Sequence, residues 1–329
     1  MKRVKIGLYA KDTEQEFVDF MCALAPDCVD VVHIDRTQSV DRQVAACVGV
    51  DMIVPLHARV PSEVLERSKG IKVLQTMGAG TDYLDKPGLA RWGIAVAVSG
   101  GANAVAVAEH TIMLMLMVYR KAAHQVSHVL AGRWAERIRA EYSVHEFHEL
   151  AGKTVGIVAT GNVGRNVARR LQGWDCRLLY TDVVALPQQV EQQLSVTRVD
   201  LEDLLRTSDV ITLHVPLMTN TRGLIGQRQF EVMKPSAILI NTCRGPVVDE
   251  QALYDALKTR RILGAGLDVT EKEPTPADNP LFQLDNVVIT PHLAGYTIEW
   301  YRKGLTAAIE NARRMARNEK LLNLIEMNG

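Results

Sequence analysis

Three residues of this 329-residue chain have types that together perform acid–base and carboxylate chemistry: Arg244, Glu273 and His292. Each comes just after a short apolar run, AILINTC before Arg244, GAGLDVTEK before Glu273 and NVVITP before His292. If these runs are parallel strands, the three residues share the carboxyl edge of one sheet, where open α/β sheets bind their ligands. An arginine there grips a carboxylate through two parallel hydrogen bonds. A histidine gives or takes the proton of a hydroxyl near neutral pH. A neighbouring glutamate favours the imidazolium and raises its pKa. Taken singly, each residue has a plainer reading as a surface charge, a loop acid or a satisfied polar group. Only their convergence carries the chemistry.

A partner for that chemistry is suggested by GIVATGNVGRNVA at residues 156–168. It reads as the phosphate-binding turn of a dinucleotide fold, G-x-G-x-x-G, with Ala159 in the first glycine slot. Residues 155–158 supply a strand, and Val163, Val167 and Leu171 supply one apolar face of a helix. Gly161 and Val163 flank Asn162 at the helix start, where the missing Cβ of Gly161 admits a pyrophosphate onto free amides. Gly164 lets the helix sit against the sheet. Alanine is acceptable at 159 if its φ is negative, and a negative φ is the expectation. Asp182 ends the next strand, CRLLYTD, at the distance where an acid holds ribose hydroxyls. No arginine follows it closely in sequence to receive a 2′-phosphate, so NAD is expected over NADP. The plainer alternative is a glycine-rich βα turn with no ligand. Strand, helix and acid at the right distances together favour the cofactor, and His292 would then exchange a proton while hydride moves to or from nicotinamide.

Two other loops are candidates for substrate. MGAGTDYLD at 77–85 holds a second G-x-G, but no third glycine and no helix follows at once. It reads as a loop presenting the amides of Gly78, Ala79 and Gly80 to an anion. HARVP, after the run DMIVPL, brings His57 and Arg59 past a strand end. Arg59 facing inward would favour a substrate with a polar or anionic distal group, and Arg59 facing solvent would leave no such preference.

The elements that must position these residues come in two sets. VKIGLY, VDVVHI, DMIVPL, IKVLQT and IAVAV alternate with amphipathic stretches such as EQEFVDFMCALA and SEVLERSKG. Continuous apolar strands of this kind are covered on both faces, as in a parallel sheet. A long helical pattern runs from about Ala104 to Leu130, and its apolar circumference implies burial between domains or subunits. AGRWAERIRAEYSVHEFHEL follows, with Trp134, Tyr142 and Phe147, and reads as an arm on a neighbouring subunit or as a surface loop. The alternation then restarts with KTVGIVAT, RLLYTD, DVITLHV, AILINT, GAGLDV and NVVIT. The final helical stretch is expected to return to the first domain. The division is therefore 1–102 plus 297–329 for a substrate-binding domain and 103–296 for a dinucleotide-binding domain. The fold class is α/β, with two doubly wound parallel-sheet domains and a cleft between them.

Composition narrows the partners. Lys plus Arg and Asp plus Glu number 38 each, which argues against nucleic acid or an acidic membrane as the main partner. The five cysteines form no C-x-x-C pair and suit free thiols in a reducing cytosol. TIMLMLMVY, at 111–119, is too short to cross a bilayer, and the N-terminal stretch does not read as a signal peptide. His124 and His128 lie one helical turn apart but have no Cys or Asp companions, and HEFH lacks the H-E-x-x-H spacing, so no metal is expected. A small-molecule partner, a cytoplasmic location and a homodimer are the expectations.

With these pieces in order, the chain resembles the D-isomer-specific 2-hydroxyacid dehydrogenase family along nearly its whole length. The resemblance rests on MGAGTDYLD, NAVAVAEHTIMLML, the phosphate turn with Asp182, LHVPLMTNTRGLIG, MKPSAILINTCRGPVVDEQAL, GAGLDVTEKEP and NVVITPHLAG. It implies a flavodoxin-like substrate domain and a Rossmann NAD-binding domain. It implies that Arg244 orients the substrate, that His292 is the general acid/base and that Glu273 is its partner. Asn162, Val163, Asp182, Thr242, Cys243, Asp268 and Gly295 would join Gly161 and Gly164 around NAD, and Gly78, Ala79 and Gly80 would hold the substrate carboxylate. The implied reaction interconverts a 2-oxo acid and a D-2-hydroxy acid of glyoxylate or hydroxypyruvate type. Formate dehydrogenases of the superfamily carry glutamine where Glu273 stands, and phosphite dehydrogenases carry a lysine near the MGAG loop; this chain has neither. A non-catalytic NADH-sensing scaffold of the same fold is the rival from another class.

Overall fold

A computed structural model of the chain describes residues 2–56, 58–134 and 143–326. His57 and residues 135–142, including Tyr142 of the expected arm, lie outside the described residues. The chain divides into two compact units, Met1–Asn103 with Tyr296–Gly329, and Ala104–Gly295.

The first unit is built on β1 (Val4–Ala10), β2 (Val29–Asp35), β3 (Met52–Pro55), β4 (Val73–Thr76) and β5 (Ala95–Val98), with helices α1 (Gln15–Leu24), α2 (Val40–Ala46), α3 (Ser62–Arg67) and α4 (Lys86–Arg91) between them. The strands are parallel in the order β2-β1-β3-β4-β5, the flavodoxin-like winding. Their apolar runs are buried on both faces because helices cover both. Phe17, Val18 and Met21 of α1 share one face with Tyr301, Leu305 and Ala308 of the C-terminal helix Ile298–Ala316. Val64, Leu65 and Leu89 from α3 and α4 lie in the core of the other face. The chain's return therefore completes one face of this sheet. A buried polar contact helps fix it, as Asn311 Nδ2 donates to Gln75 Oε1 at 2.7 Å.

The second unit opens on α5 (Ala104–Tyr119) and α6 (Ala122–Leu130). One continuous helix over this stretch was the sequence expectation, and the structure corrects it. Lys121 takes a left-handed φ of 46° and ends α5, while its ammonium pairs with Glu146 at 2.8 Å. The two halves also differ in burial. Ala108, Leu114, Met115 and Tyr119 of α5 are in the core, whereas Val126, Val129 and Leu130 of α6 are exposed.

Seven strands follow: β6 (Thr154–Val158), β7 (Arg177–Thr181), β8 (Val196–Arg198), β9 (Val210–Leu213), β10 (Ile238–Asn241), β11 (Gly264–Leu267) and β12 (Val287–Ile289). They alternate with α7 (Asn162–Leu171), α8 (Gln188–Leu194), α9 (Leu201–Thr207), α10 (Gln227–Val232) and α11 (Glu250–Lys258). The parallel order is β12-β11-β10-β9-β6-β7-β8, the Rossmann winding with one added strand. The strand order reverses between β6 and β9, which makes the carboxyl edge there a topological switch point. β8 has no counterpart among the strands read from the sequence. Its three residues, VTR, are too short and too polar to stand out as an apolar run.

Candidate active site

The phosphate turn leaves β6 at Ala159, and here the expected backbone is wrong. Ala159 has φ +73°, in the left-handed region. The turn imposes this conformation. The Ala159 amide still bonds Thr181 O at 2.8 Å as a continuation of the β6–β7 pairing, while its carbonyl turns onto Gly164. A Cβ on Gly164 would lie 2.2 Å from Ala159 O, so the third glycine of the motif is needed for this contact. Only a left-handed residue both keeps the ladder bond and makes the reversal, and alanine bears the strain that the usual glycine avoids.

Gly161 caps α7, and a Cβ built there would meet nothing within 4 Å. Val167 and Leu171 seal the other face of α7 into the core, with Val163 partly buried beside them. Asp182 lies one residue past β7, and its Oδ2 accepts from Thr160 N at 2.7 Å and Thr160 Oγ1 at 3.1 Å. Arg165 Nε donates to Thr160 O at 2.8 Å, so Thr160 is gripped from both sides.

Arg244, Glu273 and His292 follow β10, β11 and β12, three neighbouring strands, and the structure brings the last two into contact. His292 Nδ1 lies 2.7 Å from Glu273 Oε2, and Glu273 Oε1 accepts from Thr270 N at 3.2 Å. The hydrogen bond to Glu273 raises the His292 pKa, against the opposing effects of burial and the Arg244 charge. Burial pushes the Glu273 carboxyl upward, but His292 and the Thr270 amide outweigh it and leave the pKa lowered. The pairing thus favours the charged form of both partners and engages the ring through Nδ1, with no hydrogen bond to Nε2 among the described residues.

Main-chain geometry fixes both of these residues from beneath. His292 stands at φ +56°, and its amide bonds Asp268 O at 2.8 Å. The Asp268 side chain, 1% exposed, accepts from Thr290 Oγ1 at 2.6 Å, Leu293 N at 3.0 Å and Ala294 N at 2.8 Å. Both of its oxygens are thus used within the protein, which sets Asp268 as a brace for the His292 turn. His110 of α5 adds a bond from Nε2 to Thr290 Oγ1 at 2.9 Å, and burial holds its pKa below the ordinary value. Under Arg244, Asn241 plays the corresponding part. Its Oδ1 takes Cys243 N at 3.1 Å and its Nδ2 donates to Arg244 O at 3.0 Å. Gly245 is obligatory at the next position, because a Cβ there would lie 1.8 Å from Thr270 O.

The remaining expected cofactor residues sit at the same strand ends. Thr242 bonds Thr111 Oγ1 at 2.9 Å, which ties the end of β10 to α5. The Cys243 thiol is pushed up to about 11 by burial and stays protonated. Gly295 follows the braced turn and is partly exposed. Asn241, Thr290, His110 and Thr160 were not singled out from the sequence. The available signal for Asn241 and Thr290 was a polar residue closing an otherwise apolar strand.

In the first unit, the loop after β4 is pinned through its carbonyls. Thr76 Oγ1 donates to Gly78 O at 2.6 Å and Trp300 Nε1 to Met77 O at 2.7 Å. None of the hydrogen bonds among the described residues uses the amides of Gly78, Ala79 or Gly80. The Arg59 guanidinium lies over the Tyr83 ring, 5.0 Å from its centroid. Among the described residues no cluster of His, Cys, Asp and Glu is arranged to hold a metal ion, and no helix is long and apolar enough to cross a membrane.

The model of the D-isomer specific 2-hydroxyacid dehydrogenase NAD binding domain matches residues 112–294, more than half of the chain and nearly all of the second unit. The chain belongs to that family. It is 38% identical to a D-3-phosphoglycerate dehydrogenase of Archaeoglobus fulgidus over 292 residues, covering 89% of this chain and 54% of that one. It is also 38% identical to a glyoxylate reductase of Thermofilum pendens, over 78% of this chain and 75% of that one. This chain spans about half the length of the phosphoglycerate dehydrogenases it matches. Among solved structures, a holo form of Rhodotorula graminis D-mandelate dehydrogenase superposes with a TM-score of 0.84 at 28% identity, over 99% of this chain and 98% of that one. NAD is the cofactor of the matched domain. The turn fits it, since the open face of Gly161 and the amides of Asn162 and Val163 suit a pyrophosphate, and Asp182 Oδ1 remains for a ribose hydroxyl.

Proposed function

We propose that this protein is an NAD-dependent oxidoreductase that interconverts a 2-oxo acid and a D-2-hydroxy acid, acting as a reductase on substrates of glyoxylate or hydroxypyruvate type. The observation that carries the reading is the His292–Glu273 pair at 2.7 Å, on the same sheet edge as Arg244 and the phosphate turn. Bound NADH supplies the hydride. His292 protonates the oxygen of the reduced carbon through Nε2, because Nδ1 is committed to Glu273. Glu273 favours the imidazolium by raising the His292 pKa. Arg244, whose Nη1 is tethered to Cys243 O at 2.7 Å, holds the substrate carboxylate through its guanidinium and polarises the carbonyl.

For the substrate itself, the amides of Gly78, Ala79 and Gly80 are the proposed carboxylate ligands and Arg59 the proposed selector of the distal group. The reading extends to a cytoplasmic homodimer, with the exposed Val126, Val129 and Leu130 of α6 as the surface covered by the second copy. NADH consumption with glyoxylate, hydroxypyruvate, pyruvate and 2-oxoisocaproate tests the proposal. Turnover with the first two at the highest kcat/KM supports it. Tight NADH binding without turnover of any 2-oxo acid would favour the sensing scaffold instead.

A further inference from the structure

The run after Asp182 contains no arginine, yet the fold supplies one from the strand that the sequence pattern hides. β8 pairs with β7 in the register Leu178↔Val196, Leu179↔Thr197 and Tyr180↔Arg198. That register carries Arg198 to the end of the sheet, where its Nη2 donates to Asp182 O at 3.0 Å. The side chain is exposed, and a guanidinium has five N–H donors, so most of them remain for a ligand. The other nearby acid, Glu191, is engaged by the Tyr180 hydroxyl. Among the described residues no carboxylate forms an ion pair with Arg198.

Two opposed groups therefore stand at adjoining strand ends. The Asp182 carboxylate accepts from a ribose diol and repels a phosphate at the 2′ position. The Arg198 guanidinium is the group that such a phosphate would seek. We propose that Arg198 is a second, latent determinant of cofactor choice. The chain selects NADH because the Asp182 charge opposes the 2′-phosphate more strongly than Arg198, already placed beside it, attracts it. The inference rests on the assignment of Asp182 to the ribose.

The test uses ligands without nicotinamide, 5′-AMP and adenosine 2′,5′-bisphosphate, titrated calorimetrically into the unmutated protein, Asp182→Asn, Arg198→Met and the double variant. Asparagine keeps an oxygen for the Thr160 amide while removing the charge. Asp182→Asn should raise bisphosphate affinity about 10- to 100-fold relative to 5′-AMP, the scale of one charge-assisted contact regained. The double variant should lose that gain. In the native background, Arg198→Met should lower the bisphosphate-to-AMP affinity ratio several-fold, a result that does not depend on how the Asp182 variant folds. A gain that survives in the double variant, or an unchanged ratio in Arg198→Met, overturns the role of Arg198 alone. An unchanged preference in a folded Asp182→Asn protein overturns the ribose assignment as well.

Discussion

Two loops of the second unit leave parallel strands through a non-glycine residue at positive φ, Ala159 at +73° after β6 and His292 at +56° after β12. Each is held by an acid one position past the end of the adjoining strand, Asp182 beside the first and Asp268 beside the second. The two acids are spent differently. Asp268 is 1% exposed and gives both oxygens to Thr290, Leu293 and Ala294. Asp182 is partly exposed and gives one oxygen to Thr160, which leaves the other for a ligand. The same local device thus yields a brace where the acid is buried and leaves one carboxylate oxygen unused where it meets solvent. Strain is tolerated in both turns because the hydrogen bonds around them over-determine the backbone.

The largest expected effect tests whether the braced turn exists to present its histidine. His292→Ala should lower kcat for 2-oxo acid reduction by about 10²- to 10⁴-fold, the usual worth of a general acid. NADH binding, measured by fluorescence titration, should persist because the phosphate turn is untouched. Loss of NADH binding of similar size would show that the two turns are not separable.

Next in size is the contrast between the acids. Asp268→Ala strands three donors, one buried and two part-buried, each worth up to about 1–3 kcal/mol when left unsatisfied, and should cost a few kcal/mol of stability together with most of the activity. Asp182→Ala strands only the amide and hydroxyl of Thr160, and should cost less stability while eroding NADH affinity. Urea unfolding of both variants measures this directly, and equal losses would end the distinction drawn between them.

Glu273→Gln tests the pair at the surface of the braced turn. Its direction follows from the raised pKa of His292. Reduction needs the imidazolium and fails as pH rises through that pKa, so weakening the partner moves the descending limb toward acid. Oxidation needs the neutral ring, and its rising limb should move toward acid as well. pH profiles of kcat/KM in both directions check this, and profiles that stay in place would remove Glu273 from the role.

The smallest effect is expected at Ala159→Gly. Relieving a left-handed alanine recovers about 1–2 kcal/mol, while glycine costs about 0.5–1 kcal/mol in chain entropy. The net change should lie between about 0 and 1.5 kcal/mol of stabilisation, with NADH affinity within a few-fold of the unmutated protein. A clear destabilisation would mean that the methyl group makes a favourable contact in the turn.

The sequence by itself determined the two sheets, most of their strands and the sheet edge on which Arg244, Glu273 and His292 lie. Parallel strands buried on both faces must be continuous apolar runs, and the residues after those runs must lie on the carboxyl edge. Arg244, Glu273 and His292 were legible for that reason, as were Gly161, Gly164 and Asp182. Only the tertiary structure decided what depends on pairing and register. The break at Lys121 follows from a left-handed residue that no apolar period records. The positive φ of Ala159 follows from keeping a ladder bond to Thr181 while reversing onto Gly164. The brace under His292 joins His110, Asp268 and Thr290 from separate parts of the chain. Arg198 reaches Asp182 only because β8 pairs beside β7, across 16 residues of sequence. Local periodicity reports which face of an element is buried, but a neighbouring strand's side chain enters a site through hydrogen-bond register, which no single segment encodes.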